Sequence, residues 1–226
     1  MSCFLCNSSL GKKLVMSVTG CALVLFLLFH MSMNLVALIS AEAYNAVCAF
    51  LGANWYAVVA TVGLAALVVL HFVYALILTI DNYRARGKQR YAVTVNEPGV
   101  EWASKNMLLL GVIVVLGLLL HLCHFWSKMM FVELMGQHEN ALGLAPTDGA
   151  ALIEYTFSNP INVVLYIVWL AALWLHLNHG VWSMFQTVGW ANDIWYPRLK
   201  CAAKVVSTLV ILGFAAVVVA FFVCSL

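Results

Sequence analysis

Six of the chain's seven histidines, His30, His71, His121, His124, His176 and His179, lie inside long apolar runs. An ionisable side chain in such surroundings is costly, so it marks either a functional position or a buried hydrogen bond between helices. Imidazole nitrogen is a ligand for zinc, copper, iron and nickel. Zinc or non-haem iron asks for three or four donors converging on one point, often with carboxylates. No Asp or Glu stands near these histidines in the middle of the runs. The same shortage of acids argues against a proton pump or cation transporter.

The runs that carry the histidines are long enough to define the fold class. The chain has 226 residues, 65% hydrophobic and 9% charged, where a soluble domain has about 45–50% apolar and roughly 25% charged residues. Its mean hydropathy of +0.99 comes from five stretches, each as long as the roughly 20 residues that carry a helix across a bilayer. The spans fall at about 14–39, 55–80, 106–131, 160–186 and 204–225, in one transmembrane domain covering residues 1–226. Leu108 to Leu120 and Val205 to Val223 are almost continuously apolar, which excludes the alternation of a spanning β-barrel. The expected fold is an all-α integral membrane protein of five helices. A net charge of +2 is too small and too dispersed to imply a nucleic-acid partner, no basic cluster is interleaved with aromatics, and no such partner is expected.

Orientation follows from Lys and Arg. With the N-terminus cytoplasmic, the inner segments hold Lys12, Lys13, Arg84, Arg86, Lys88, Arg90, Lys105, Arg198, Lys200 and Lys204, and the outer ones only Lys128. The positive-inside rule then puts the C-terminus outside. The outer loops carry Glu42, Glu133, Glu139, Asp148 and Glu154, with His138 solvent-exposed among them; the longest, about 132–159, is the natural place for a lid. Lys12 and Lys13 before an apolar run, with Ala41-Glu42-Ala43 after it, have the outline of a signal peptide, but a run of about 25 residues exceeds the usual 7–15. Seven cysteines are scattered as small packing residues; Cys3-x-x-Cys6 has redox or metal spacing without a second pair. No Cys-x-x-Cys-His occurs, which excludes covalent c-type haem.

Helix rise gives the depth of each histidine. His30 and His121 lie roughly 22–24 Å from the cytoplasmic end of their spans, and His71 and His176 roughly 14–15 Å. Two pairs at two depths suit planar macrocycles held between facing imidazoles. The expected cofactors are two haems b, the outer on His30 and His121 and the inner on His71 and His176, with the first four helices bundled around them. His124 and His179, each three residues after a preferred ligand, are competitors by spacing. Gly117 and Gly180 lie one turn from His121 and His176, where a missing side chain admits a flat ring. Gly20 and Gly111 each precede an outer-level histidine by about 15 Å of helix rise, near the inner level. At the cytoplasmic boundary Ser17, Trp102 and Lys105 are candidates to meet the inner haem's propionates. Lys105 serves equally as a positive-inside anchor and Trp102 as an interfacial belt residue.

Ser17-x-Thr19-Gly20 with His30-x-x-x-Asn34, His71 followed by Asn82-Tyr83-Arg84-Ala85-Arg86-Gly87, Gly111 with His121, and His176-x-x-x-Gly180-x-Trp182-Ser183 with Gly189-Trp190 resemble the five-helix, dihaem cytochrome b subunit of succinate dehydrogenases and fumarate reductases. The resemblance covers nearly the whole chain. It implies an anchor in a bacterial cytoplasmic membrane for a flavoprotein and an iron-sulfur subunit, with electrons exchanged with a quinone, usually menaquinone, toward the outer face. Asn34, the nearest buried amide, and Glu42, the nearest outer acid, are the quinone-site candidates. Arg84, Arg86, Lys88 and Arg90 are candidates to dock the iron-sulfur subunit. One departure stands out: some quinol-oxidising members carry an acid two positions before the fourth-span ligand, which is Trp174 here.

Two other readings are compatible with the residues. One is a dihaem quinol-oxidising anchor of another respiratory enzyme; the other is a non-redox transporter or scaffold. The physiological direction, succinate oxidation or fumarate reduction, depends on quinone and haem potentials that the sequence does not fix. The last span, without a histidine, is free to pack on lipid or on a second copy.

Overall fold

A computed structural model describes residues 8–86 and 102–226. Cys3, Cys6, Gly87, Lys88 and Arg90 lie outside the described residues. Backbone polar groups have no water partner in hydrocarbon, so each apolar run must satisfy them internally as a helix. Five helices among the described residues are long and apolar enough to cross a membrane. They are α1 (Ser9–Leu35), α3 (Trp55–Arg86), α5 (Met107–His124), α8 (Pro160–Thr187) and α9 (Trp195–Cys224). Shorter helices stand between them: α2 (Ala41–Phe50), α4 (Trp102–Lys105), α6 (Met130–Leu134) and α7 (Gly149–Phe157). The described residues are helical without strands, as in an all-α membrane protein.

The helix ends follow local chemistry. Ser8, Ser40, Asp148 and Asn159 accept hydrogen bonds from Gly11, Ala43, Ala151 and Ile161 N–H groups, capping α1, α2, α7 and α8, and Pro160 sits in the first turn of α8, where a missing N–H costs nothing. At the end of α5, Lys128 Nζ donates to the Cys123 and His124 carbonyls at 3.0 and 3.3 Å, closing the helix earlier than the 131 expected from hydropathy. The fifth span begins at Trp195, nine residues before the expected 204, because Arg198 and Lys200 lower the hydropathy of a turn that is helical all the same. Their charges rest on aromatic faces, Arg198 on Trp195 at 5.2 Å and Lys200 on Tyr196 at 4.7 Å.

Helix α8 is the hub. It packs on α9, α1 and α5, while α1 also packs on α3 and α9, and α3 touches α5 lightly. The fifth helix therefore joins the bundle along one side. Small residues allow it: Ala203 and Ser207 of α9 are wholly buried with Val210, letting the backbones approach. Its other side, with Val205, Leu209, Leu212 and Val223, is exposed like Val59, Val62 and Leu116 of the neighbouring spans. Apolar surface on this scale fits lipid as its solvent rather than water.

One end of the bundle is basic. There Lys12 of α1 pairs with Asp81 of α3 at 2.7 Å, and Arg84 is exposed nearby. The other end is capped by α2, α6 and α7, so the expected loop 132–159 is largely folded. Asn45 of α2 donates to Asp148 at 2.7 Å and accepts from Ala150 N–H at 3.0 Å, and Glu133 accepts from Ala53 N–H at 2.7 Å. Beneath them Tyr44, Ile153, Phe157, Tyr166, Leu170 and Val217 form a closed core.

Candidate functional site: two histidine pairs inside the bundle

The bundle brings four histidines together two by two. His30 of α1 faces His121 of α5 with ring centres 5.8 Å apart and planes at 84°. His71 of α3 faces His176 of α8 at 6.4 Å and 65°. Neither helix pair, α1 with α5 or α3 with α8, is among those that pack closely against each other. Each couple therefore lies across a diagonal of the four-helix arrangement, where bundles build their cofactor sites.

The levels differ. His71 lies against Thr19 and Gly20 of α1: its Nδ1 is 3.1 Å from Thr19 Oγ1, and a Cβ on Gly20 would stand 3.4 Å from its Cε1. His30 is ten residues beyond Gly20 on the same helix, about 15 Å at 1.5 Å per residue. The lower pair is thus nearer the basic end and the upper pair nearer the cap.

Aromatic side chains shield the upper pair. Phe26 stacks on His30 at 5.4 Å, Phe214 of α9 lies 5.7 Å from it, and His121 has Phe125 at 5.2 Å and Trp169 at 6.0 Å. Trp169 is held by its indole N–H donating to the Val114 carbonyl at 3.1 Å. The competing histidines have partners of their own. His124 stacks on Tyr166 at 5.8 Å with Nδ1 3.3 Å from the phenol oxygen, and His179 meets Trp182 edge-on at 5.0 Å.

The residue chemistry fits a metal held by two imidazoles. With metal–nitrogen bonds of about 2.0–2.1 Å and ring centres about 1 Å behind each nitrogen, opposed ligands have centres roughly 6 Å apart. Each ring turns about its own bond, so the planes need not be parallel. His176 Nδ1 is buried without a hydrogen-bond partner, and nothing lies within 4 Å of where a Cβ would stand on Gly111 or Gly180. Among the described residues no three His, Cys, Asp or Glu side chains gather as a metal-ligand group.

The remaining nominated residues are placed as follows. The missing side chain of Gly117 is filled by the Trp169 indole, so this glycine seats a tryptophan. Ser17 spends its hydroxyl on the Lys13 carbonyl at 3.0 Å; Trp102 and Lys105 are exposed at the basic end. Asn34 donates to the His30 carbonyl at 2.8 Å and accepts from the Tyr44 hydroxyl at 3.2 Å. Glu42 is exposed in the first turn of α2, where an acid suits the helix dipole. Trp174 donates to Thr208 of α9 at 3.1 Å; the position that is acidic in some quinol oxidisers is here a clamp between helices.

Sequence reasoning missed Tyr44, Tyr166 and Trp169. Tyr44 sits in a helix too short to register as a span. Burial pushes its phenol pKa up, and pushes the neighbouring Cys48 thiol up to about 11, so Tyr44 stays a donor to Asn34. Trp182 is buried with an indole N–H that lacks a hydrogen-bond partner, and Lys200 lies 5.2 Å over its ring. No protein-family model, curated protein or solved structure matches this chain.

Proposed function

We propose that this chain is a dihaem cytochrome b membrane anchor, and that the complex it anchors is a succinate:quinone oxidoreductase. The observation that carries the electron-transfer reading is the two diagonal histidine couples at two depths of one apolar bundle. His71 and His176 would hold the haem nearer the basic end, and His30 and His121 the one nearer the cap. Held by these residues, a b haem would supply one-electron transfer. The protein's part is to fix the ligand rings, exclude water with Phe26, Phe214 and Trp169, and present two sites in series across a medium that excludes charge.

The finer reading rests on the motif resemblance. A flavoprotein and an iron-sulfur subunit would dock at the basic end, placed on the cytoplasmic side of a bacterial inner membrane by the positive-inside rule. Menaquinone would exchange electrons toward the cap, near Asn34, Glu42 and Tyr44. The test is purification of the tagged chain from its own membranes in mild detergent. Succinate should reduce a b-type absorbance in a preparation containing flavin and iron-sulfur subunits. Partner chains of another respiratory enzyme would overturn the succinate assignment and leave the dihaem reading standing.

A further inference from the structure

Thr19 is buried at 4% exposure, so water does not supply its hydrogen bonds. Its hydroxyl has one proton, and Oγ1 lies 2.8 Å from the Val15 carbonyl and 3.1 Å from that of Met16, the back-bonding usual for threonine within a helix. Turning the proton toward His71 would leave two oxygens 2.8 Å apart with no hydrogen between them. The proton therefore goes to the carbonyl, and the contact of 3.1 Å with His71 Nδ1 is one in which Thr19 accepts.

We infer that Thr19 is a positioning residue for His71: it holds the ring as the Nδ1–H tautomer, leaves Nε2 as the electron-pair donor, and makes that nitrogen a stronger ligand. Gly20 lies against the same ring, where a Cβ would stand 3.4 Å from His71 Cε1, an ordinary van der Waals contact. The other pair is set differently. The polar group beside His30 Nδ1 is itself a donor, Asn34 Nδ2, at 3.5 Å, which also donates to the His30 carbonyl at 2.8 Å. The hydroxyl thus distinguishes two bis-imidazole sites that composition alone makes equivalent. An acceptor on the far nitrogen of a ligating histidine raises its basicity and favours the oxidised metal. Thr19 therefore lowers the potential of the His71–His176 site and not that of the His30–His121 site.

This inference rests on the dihaem reading, and the experiment separates the two. Thr19→Val, Thr19→Ala and Thr19→Ser are compared with the wild-type full-length chain by potentiometric titration of the two b components and by the low-spin ferric EPR signals. Val and Ala should raise the midpoint potential of one component, the one removed by His71→Ala, and shift its EPR signal, while the other stays unmoved. Ser should restore wild-type behaviour. Where Val fails to accumulate, Ala carries the comparison. Two bound haems with potentials and EPR signals unchanged in Val and Ala would overturn the role of Thr19 alone. A wild-type chain without b haem would overturn both.

Discussion

His71 and His176 face each other at 6.4 Å although the helices that carry them, α3 and α8, are not close-packed neighbours. His30 and His121 repeat the relationship on the other diagonal at 5.8 Å. That relationship yields the first prediction. His71→Ala and His176→Ala should each remove the same spectral component, and His30→Ala and His121→Ala the other, with total haem falling to about half. Loss of one shared component from His30 and His71 variants would contradict the pairing.

Gly117 is the tightest close approach near the upper pair. A methyl group there would occupy the space of the Trp169 indole, whose ring stands beside His121. Gly117→Ala should displace Trp169 at a cost of about 1–3 kcal/mol, the usual penalty of overpacking. Thermal melting should show the loss, and absorbance the disturbance of the His30–His121 component alone.

How much of this was legible in the sequence differs between directions in space. Helix rise measures depth, so the apolar runs and the levels of the four histidines could be read by counting. Azimuth could not: nothing in the spacing says that Trp169 fills Gly117, that His124 turns to Tyr166, or that Trp174 turns to Thr208. Elements shorter than a span were invisible for another reason. Residues 41–50 and 149–157 mix polar and apolar side chains over 10 and 9 residues, below any membrane signal, and their helices depend on Asn45, Asp148 and the core beneath them. Counting gave α9 no partner helix, because its packing relies on the small side chains of Ala203 and Ser207.

Asn45 ties the cap together through two hydrogen bonds, to Asp148 and to the Ala150 N–H. Asn45→Ala leaves the latter without its partner and should cost about 1–3 kcal/mol. Hydrogen exchange should quicken in residues 41–50 and 149–157 while haem content stays at the wild-type level.

The cap should also loosen in alkali. The Cys48 thiol has an ordinary value of 9.0 and is raised by burial to about 11. Between these values the unfolded cap releases a proton that the folded cap retains, so stability is full below pH 9 and falls as pH rises through about 11. Cys48→Ala should flatten part of this slope in exchange measurements across that range; an unchanged slope would assign it to Tyr44.

Lys12 and Asp81 join α1 to α3 at the basic end at 2.7 Å, with 17% and 43% of their side chains exposed. Such a pair is worth about 0.2–1 kcal/mol. A double-mutant cycle with Lys12→Ala and Asp81→Ala should return a coupling in that range, reduced by salt.

Pyridine haemochrome analysis of the purified wild-type chain, set against its protein concentration, counts the haems that the four histidines hold. Two b haems per chain are expected, both low-spin in the oxidised state. A chain that is folded and helical but holds no haem, or holds only one when all four histidines are intact, would contradict the dihaem reading.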